Sequence, residues 1–219
     1  MSQIILDFGS ANTCKNNFDY VKRMLDSLKA VDTGKHEVII KWQLFKQAGK
    51  NIPLKREIFR QAYDYAASLG YQTTSSVFDK ESLDFLLQFN PCFVKIANRR
   101  ELDYLIGEIP RKIPVYVSYG DPENLKTLQH KDNVIRLLCV SNYPATLEEY
   151  EETFGMVQGD YLQHSSQYDF YGISDHTTNF GLWYRYQPRI IEMHYGLPDS
   201  TGLDAGPFMR TPRQLAEIL

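Results

Sequence analysis

The chain has 219 residues, of which 43% are hydrophobic and 23% charged, enough apolar sequence for one large core of the size many α/β barrels have. A formal net charge of −3 and a pI near 6.0 exclude the broad basic face of a nucleic-acid binder. No apolar run approaches the ~18 residues of a membrane span.

Short β-branched runs alternate with helical patterns. Residues 4–8 predict a first strand, and residues 18–28 a helix, with Phe18, Val21, Leu25 and Leu28 at helical spacing. Residues 38–45 predict a second strand, and residues 56–69 a helix stopped by Gly70. A third strand over 71–77 leads to a helix over 79–89 with Asp79 as its N-cap. A fourth strand over 92–97 precedes a helix over 100–109. A fifth, over 114–118, opens onto Gly120, with only a shortened helical segment near 123–129. Residues 134–140 lead to a helix over 146–154. The last two strands are Tyr171-Gly-Ile-Ser-Asp-His176-Thr and Ile190-Ile-Glu-Met-His194-Tyr, with residues 179–186 between them and 211–219 closing the chain.

Eight uninterrupted strand–helix units predict a (β/α)₈ TIM barrel, compact in its loops and helices, rather than an open doubly wound sheet. The loop Gly9-Ser-Ala-Asn-Thr13 is neither GxGxxG nor a phosphate-binding P-loop, which weakens a nucleotide-binding reading. With no linker or repeat, residues 1–219 read as a single domain. Cys14, Cys92 and Cys139 are too scattered for a disulfide framework or a Cys-rich zinc site. They are expected reduced, Cys92 and Cys139 in or beside buried strands. The N-terminus lacks a basic segment followed by a long apolar one, so no signal peptide, a soluble chain and a cytoplasmic location are expected.

Strand side chains alternate faces, so Ser174 and His176 point one way, as do Glu192 and His194. If those strands are neighbours, two imidazoles and a carboxylate converge on one rim, which suits a divalent metal. Two unrelated strand-end histidines are the plainer alternative. Lys41 and Gln43 share a face of the second strand, and Lys95 sits between Val94 and Ile96 in the fourth. A lysine inside a doubly buried strand is costly unless it is paired or reaches the barrel mouth. One alone would snorkel; two, with Glu192 and the histidines, favour a mouth that holds an anion beside a metal. Ser76, Ser118, Ser141 and Ser174 stand near the ends of four strands and either add hydroxyl donors or serve as ordinary turn residues.

Cys139-Val-Ser-Asn-Tyr-Pro-Ala, Gly172-Ile-Ser-Asp-His-Thr and Ile190-Ile-Glu-Met-His-Tyr resemble the last three strands of the sialic acid (N-acetylneuraminate) synthases. Lys41-Trp-Gln, Phe78-Asp-Lys-Glu-Ser-Leu-Asp-Phe-Leu and Val94-Lys-Ile-Ala fit the same family, in order along nearly the whole chain. The resemblance implies condensation of phosphoenolpyruvate with an N-acylated aldose such as N-acetylmannosamine, giving a nonulosonic 2-keto acid and phosphate. It implies His176 and His194 as ligands of a divalent ion, Mn²⁺ before Mg²⁺ or Co²⁺. Lys41 and Lys95 would grip phosphoenolpyruvate, with Ser76, Ser141 and Ser174 as further contacts. Asp7, Gln43, Tyr143 and Asp204 match positions on the sugar side. Glu192 is the leading acid/base candidate, its alternative being a carboxylate that orients an imidazole. Asp175, on the opposite face from His176, is expected to be structural.

The chain also departs from the family pattern. The first-strand glutamate is replaced by Asp7, one methylene shorter, and the Ser-Gly pair after the fourth-strand lysine is replaced by Asn98-Arg99-Arg100. Arg99 and Arg100 either supply charge for phosphate or start a solvated helix. The second-strand loop and the fifth and seventh helices are shorter, and the antifreeze-like domain that usually follows the barrel is not expected. Three readings stay open: the synthase; a non-catalytic or partner-dependent barrel that keeps the ligand pocket, whether in a homodimer or beside a separate chain; and a different metal-dependent lyase or aldolase acting on a phosphorylated sugar.

Overall fold

The computed structural model describes residues 1–47, 49–120, 133–163 and 172–219, with the side chains of 157–163 left aside. The strands β1 (Gln3–Asp7), β2 (Glu37–Leu44), β3 (Gln72–Val77), β4 (Val94–Ile96), β5 (Val115–Tyr119), β6 (Val134–Cys139), β7 (Gly172–Asp175) and β8 (Ile190–His194) follow one another around a closed parallel barrel. β8 closes on β1 with Ile5 opposite Glu192 and Asp7 opposite His194. This is the expected (β/α)₈ architecture. β7 and β8 are neighbours, with Ser174 opposite Glu192.

The helices are α1 (Ala11–Cys14), α2 (Phe18–Lys29), α3 (Arg56–Ser68), α4 (Lys80–Leu87), α5 (Tyr104–Glu108), α6 (Leu147–Gln163), α7 (Gly181–Tyr186) and α8 (Pro212–Leu215). In α2 the Asn17 side chain accepts from the amides of Asp19 and Tyr20, and the buried stripe is Tyr20, Val21, Met24, Leu25 and Leu28. Asp79 caps α4 through the Ser82 amide, as expected from its position. Two helices differ from their expected spans. Residues 100–109 split into a 3₁₀ turn, Arg100–Leu102, and the five-residue α5, because no side chain caps either start and Pro110 ends the run. Helix α6 runs past Gly155, where expectation stopped at residue 154; a Cβ there would meet only open space, so this glycine costs helix propensity but breaks no contact. The helical segment expected near 123–129 lies outside the described residues.

Outward strand residues such as Leu6, Ile40, Trp42, Ile96 and Ile191 pack with the helices in one core. Inward residues Ile5, Ile39, Phe93, Tyr116, Leu137 and Ile190 form a second, smaller one inside the barrel, where the Phe93 and Tyr116 rings stack at 4.0 Å. All three cysteines are free, Cys14 and Cys139 buried and Cys92 half-buried. Among the described residues no helix is long and apolar enough to cross a membrane.

Arg210, fully buried after β8, had no signal in the sequence. It donates to the carbonyls of Thr177, Phe208 and Asn179 and reaches the Asp175 carboxylate at 3.3 Å. Asp175 therefore sits on the outer face of β7, bound to the chain that follows β8. Arg210→Met is expected to cost about 3–5 kcal/mol, because it strands a buried carboxylate. Urea unfolding should detect the loss, and adding Asp175→Asn should recover much of it; a cost well under 1 kcal/mol would mean that the pair does not pin these segments.

Candidate active site

The same alternation that lays down the apolar floor builds the charged tier above it. Two residues beyond Ile5, Ile39, Phe93, Tyr116, Leu137 and Ile190, on the same faces, stand Asp7, Lys41, Lys95, Ser118, Cys139 and Glu192. All six of these are buried. One further step along β2, β7 and β8 brings Gln43, His176 and His194 to the rim. Together they surround a cavity of about 670 Å³ at the C-terminal end of the strands, where barrels of this kind carry their chemistry.

Both lysines are held by specific partners. Lys41 Nζ lies 2.6 Å from Asp7 Oδ2 and donates to Ser76 Oγ at 2.9 Å. Lys95 Nζ donates to Ser118 Oγ at 2.6 Å and to the Ile96 carbonyl at 3.1 Å. The Glu192 carboxylate stands between them, 3.8 Å from Lys41 and 3.7 Å from Lys95, and its Oε1 accepts weakly from Ser174 Oγ at 3.3 Å. An ammonium has three protons, so each lysine retains one beyond its two short contacts. Glu192 Oε2 is buried with no hydrogen-bond partner among the described residues. Two spare ammonium protons and a carboxylate oxygen thus face one small space.

The two cations are electrostatically unlike. Burial disfavours the charge on Lys41, but Asp7 and Glu192 outweigh it and hold its pKa above the usual value. Burial depresses Lys95; Glu192 offsets this only in part, and the Lys41 charge adds repulsion. For Asp7, burial opposes ionisation, yet Lys41 and His194 overcome it and bring the carboxyl down to about 2. Burial pushes the Cys139 thiol up to about 11, so it lines the cavity as a neutral group.

At the rim, Gln43 Nε2 donates to Asp7 Oδ2 at 3.0 Å and Asp204 Oδ1 at 2.9 Å, tying two carboxylates together. Asp204 comes from the loop after β8 and packs over Gly9, whose φ is +72° and where a Cβ would lie 2.9 Å from Asp204 Oδ2. Only glycine fits there, and its amide donates to Asp7 Oδ1. His194 Nδ1 lies 3.4 Å from Asp204 Oδ1 and 3.8 Å from Asp7 Oδ2. One ligand atom each from Asp7, His194 and Asp204 falls within 4.8 Å of the others. His194 Nδ1 and Asp204 Oδ2 are buried and lack hydrogen-bond partners among the described residues, as donor atoms suited to a divalent cation would be. The His176 ring centroid is 5.5 Å from that of His194. Its Nδ1 contacts the Val140 carbonyl at 2.6 Å, which assigns the proton to Nδ1 and leaves a lone pair on Nε2. Burial and His194 lower its pKa to about 3, so the ring is neutral. Tyr143 packs on it at 4.0 Å, and Phe208 lies 5.0 Å from His194.

Of the residues singled out from the sequence as site candidates, Asp7, Lys41, Gln43, Ser76, Lys95, Arg99, Ser118, Ser141, Tyr143, Ser174, His176, Glu192, His194 and Asp204 border this cavity, and Arg100 does not. Ser141 lies at the exposed edge and accepts from Asn98 Nδ2. Cys139 and Phe208 had not been singled out for the site. Strand alternation could have found Cys139, whereas nothing local marks Phe208.

The chain matches the NeuB family model over residues 29–216. No curated protein sequence matches it. Among solved structures it resembles an N-acetylneuraminic acid synthetase from Leptospira borgpetersenii, determined in complex with citrate (TM-score 0.78, 21% identity, covering 98% of this chain and 80% of that one). It is also similar to a putative spore coat polysaccharide biosynthesis protein E from Chromobacterium violaceum (0.77, 17%, 99% and 72%). A third similar structure is a phospho-2-dehydro-3-deoxyheptonate aldolase from Thermotoga maritima (0.69, 11%, 99% and 67%). At these identities the likeness is one of fold.

The Asp7 geometry gives a pH signature. A carboxyl whose pKa is lower in the folded state stabilises the fold above its unfolded pKa, and that contribution fades as pH falls through the folded value. Asp7→Asn should therefore be less stable than the wild type at pH 7, the deficit shrinking between pH 3.8 and about 2. A pH-independent deficit by denaturant titration would overturn this account of the Lys41 contact.

Proposed function

Because the chain belongs to the NeuB family, we propose that it condenses phosphoenolpyruvate with an N-acylated aldose of the N-acetylmannosamine kind, releasing phosphate and a nonulosonic 2-keto acid. The barrel acts as one domain in the cytoplasm. The observation that carries this reading is the pair of buried lysines on either side of Glu192, beneath the two imidazoles at the rim.

Lys41 and Lys95 bind the carboxylate and phosphate of phosphoenolpyruvate as point charges, each through the proton its protein partners leave free. Ser76 and Ser174 orient the anion from the same tier, and Ser141 from the edge. Gln43, Tyr143 and Asp204 hold the sugar. Asp7, tied to Lys41, Gly9 and Gln43, positions these groups against it. A divalent ion, Mn²⁺ or else Mg²⁺ or Co²⁺, held by His176 and His194 with Asp204 beside them, would polarise the aldehyde oxygen as a Lewis acid. C3 of the enolpyruvate unit bonds to the aldehyde carbon as the C2–C3 and aldehyde C–O π bonds break, and the aldehyde oxygen takes up a proton from solvent. Water adds to the cationic C2, giving a proton to Glu192 Oε2. The C2–O bond to phosphate then breaks as the new C2 hydroxyl gives its proton to solvent and becomes the keto group. The tight Lys41–Asp7 contact favours one second reading, a barrel that binds these ligands without turnover, because an incoming anion must share Lys41 with Asp7.

Purified protein with Mn²⁺, phosphoenolpyruvate and a panel of N-acyl aldoses should release phosphate only when metal and sugar are both present. Phosphoenolpyruvate that binds by calorimetry but never yields phosphate would favour the binding barrel. His194→Ala should abolish Mn²⁺ binding; an unchanged titration would remove the metal assignment. Lys95→Met should weaken phosphoenolpyruvate binding by at least ~2 kcal/mol, the usual cost of removing a buried charge partner, and retained affinity would make Lys95 structural.

A further inference from the structure

Next to the reaction cavity lies a second depression of about 700 Å³. Gln43, Phe78, Arg99 and Leu203 line both, so the two adjoin over the loops that follow β2 and β4. The first cavity already falls within the ~300–1,000 Å³ that encloses a drug-sized ligand, so enolpyruvate and a small aldose leave the second unused.

Its walls have a definite chemistry. Phe45, Phe78 and Tyr104 supply rings, Phe45 and Phe78 meeting edge to face at 5.8 Å. Gln43, Gln47 and Asn51 supply three carboxamides, and Asn51 Oδ1 has no hydrogen-bond partner among the described residues. Tyr104 is 57% and Leu203 69% exposed, apolar surface that a ligand would cover. Arg99 is engaged by Glu101 at 2.6 Å and is not held ready for an anion, and the exposed Lys50 stands on the same wall. Amides offer donor and acceptor in one group, and aromatic rings offer flat apolar faces. Together they match a pyranose, whose hydroxyls edge a flat C–H face. Gln43, fixed between Asp7 and Asp204, marks the boundary between the two compartments.

We propose that this depression is a subsite for a second, neutral sugar ring, and that the acceptor is an N-acylated aldose glycosylated at the end remote from its aldehyde. The proposal rests on the condensation reading of the main cavity. Its test compares N-acetylmannosamine with the same sugar carrying glucose on O6, in the wild type and in Tyr104→Ala and Asn51→Leu. The glucosylated acceptor should have a kcat/KM about tenfold higher, and each variant should remove most of that advantage while leaving the bare sugar within about twofold, as expected when a site's polar and apolar contacts are lost for one substrate only. Turnover of the bare sugar with no such advantage overturns the subsite and spares the condensation reading. If neither sugar turns over, saturation-transfer NMR on the same disaccharide decides. Transfer to the glucosyl protons that is lost in Tyr104→Ala supports the subsite while the condensation reading fails; absence of transfer overturns the subsite.

Discussion

Two ammonium groups inside a barrel must be neutralised by groups a few ångströms away, and the arrangement of the mouth follows from how that is done. Lys41 obtains Asp7 from the neighbouring strand because the register of β1 with β2 sets the two opposite each other. The register of β1 with β8 sets Asp7 opposite His194, so one carboxylate couples the anion side of the mouth to its imidazole side. A one-residue slip in either pairing would turn these charges towards the helices and leave them unpaired in apolar surroundings. The charges therefore specify the register as much as the register positions the charges.

Lys95 is less completely compensated. Its short contacts are to a hydroxyl and a carbonyl, and the nearest carboxylate oxygen is 3.7 Å away. Such a cation is stabilised further by any anion that comes closer, and Glu192, placed between both lysines, would then exchange attraction to them for repulsion from the newcomer.

The strand residues of the site were legible in the sequence because a period of two is a local signal. Lys41, Lys95, Ser174 and Glu192 can be assigned inward once the strands are found, and barrel closure makes the first and last strands neighbours. The loop residues were not legible in that way. Tyr143 and Asp204 came from resemblance to a family, and Phe208 reaches the imidazoles through a loop path that no short-range pattern encodes. The grouping of His194 with Asp7 and Asp204, where the sequence had brought it together with His176 and Glu192, depends on a loop folding back over Gly9. Arg210 reads as an ordinary charged residue before a helix; its burial depends on carbonyls at the end of β7 that need an internal donor. The helix limits missed for the same reason: Gly155 is tolerated where its environment is open, and that is a tertiary fact.

The charged tier has a consequence for kinetics. Lys41 and Lys95 are balanced locally by Asp7 and Glu192, Asp204 adds a further carboxylate at the rim, and the chain as a whole is slightly acidic. Little positive field therefore extends beyond the mouth, and long-range steering, which speeds the capture of anions by clefts of one sign, has little to act on here. Anionic ligands would arrive at an unassisted diffusional rate, with an association rate that responds weakly to ionic strength. Discrimination would then rest on how long a ligand stays, through contacts that form only after it has displaced the water over the two lysines.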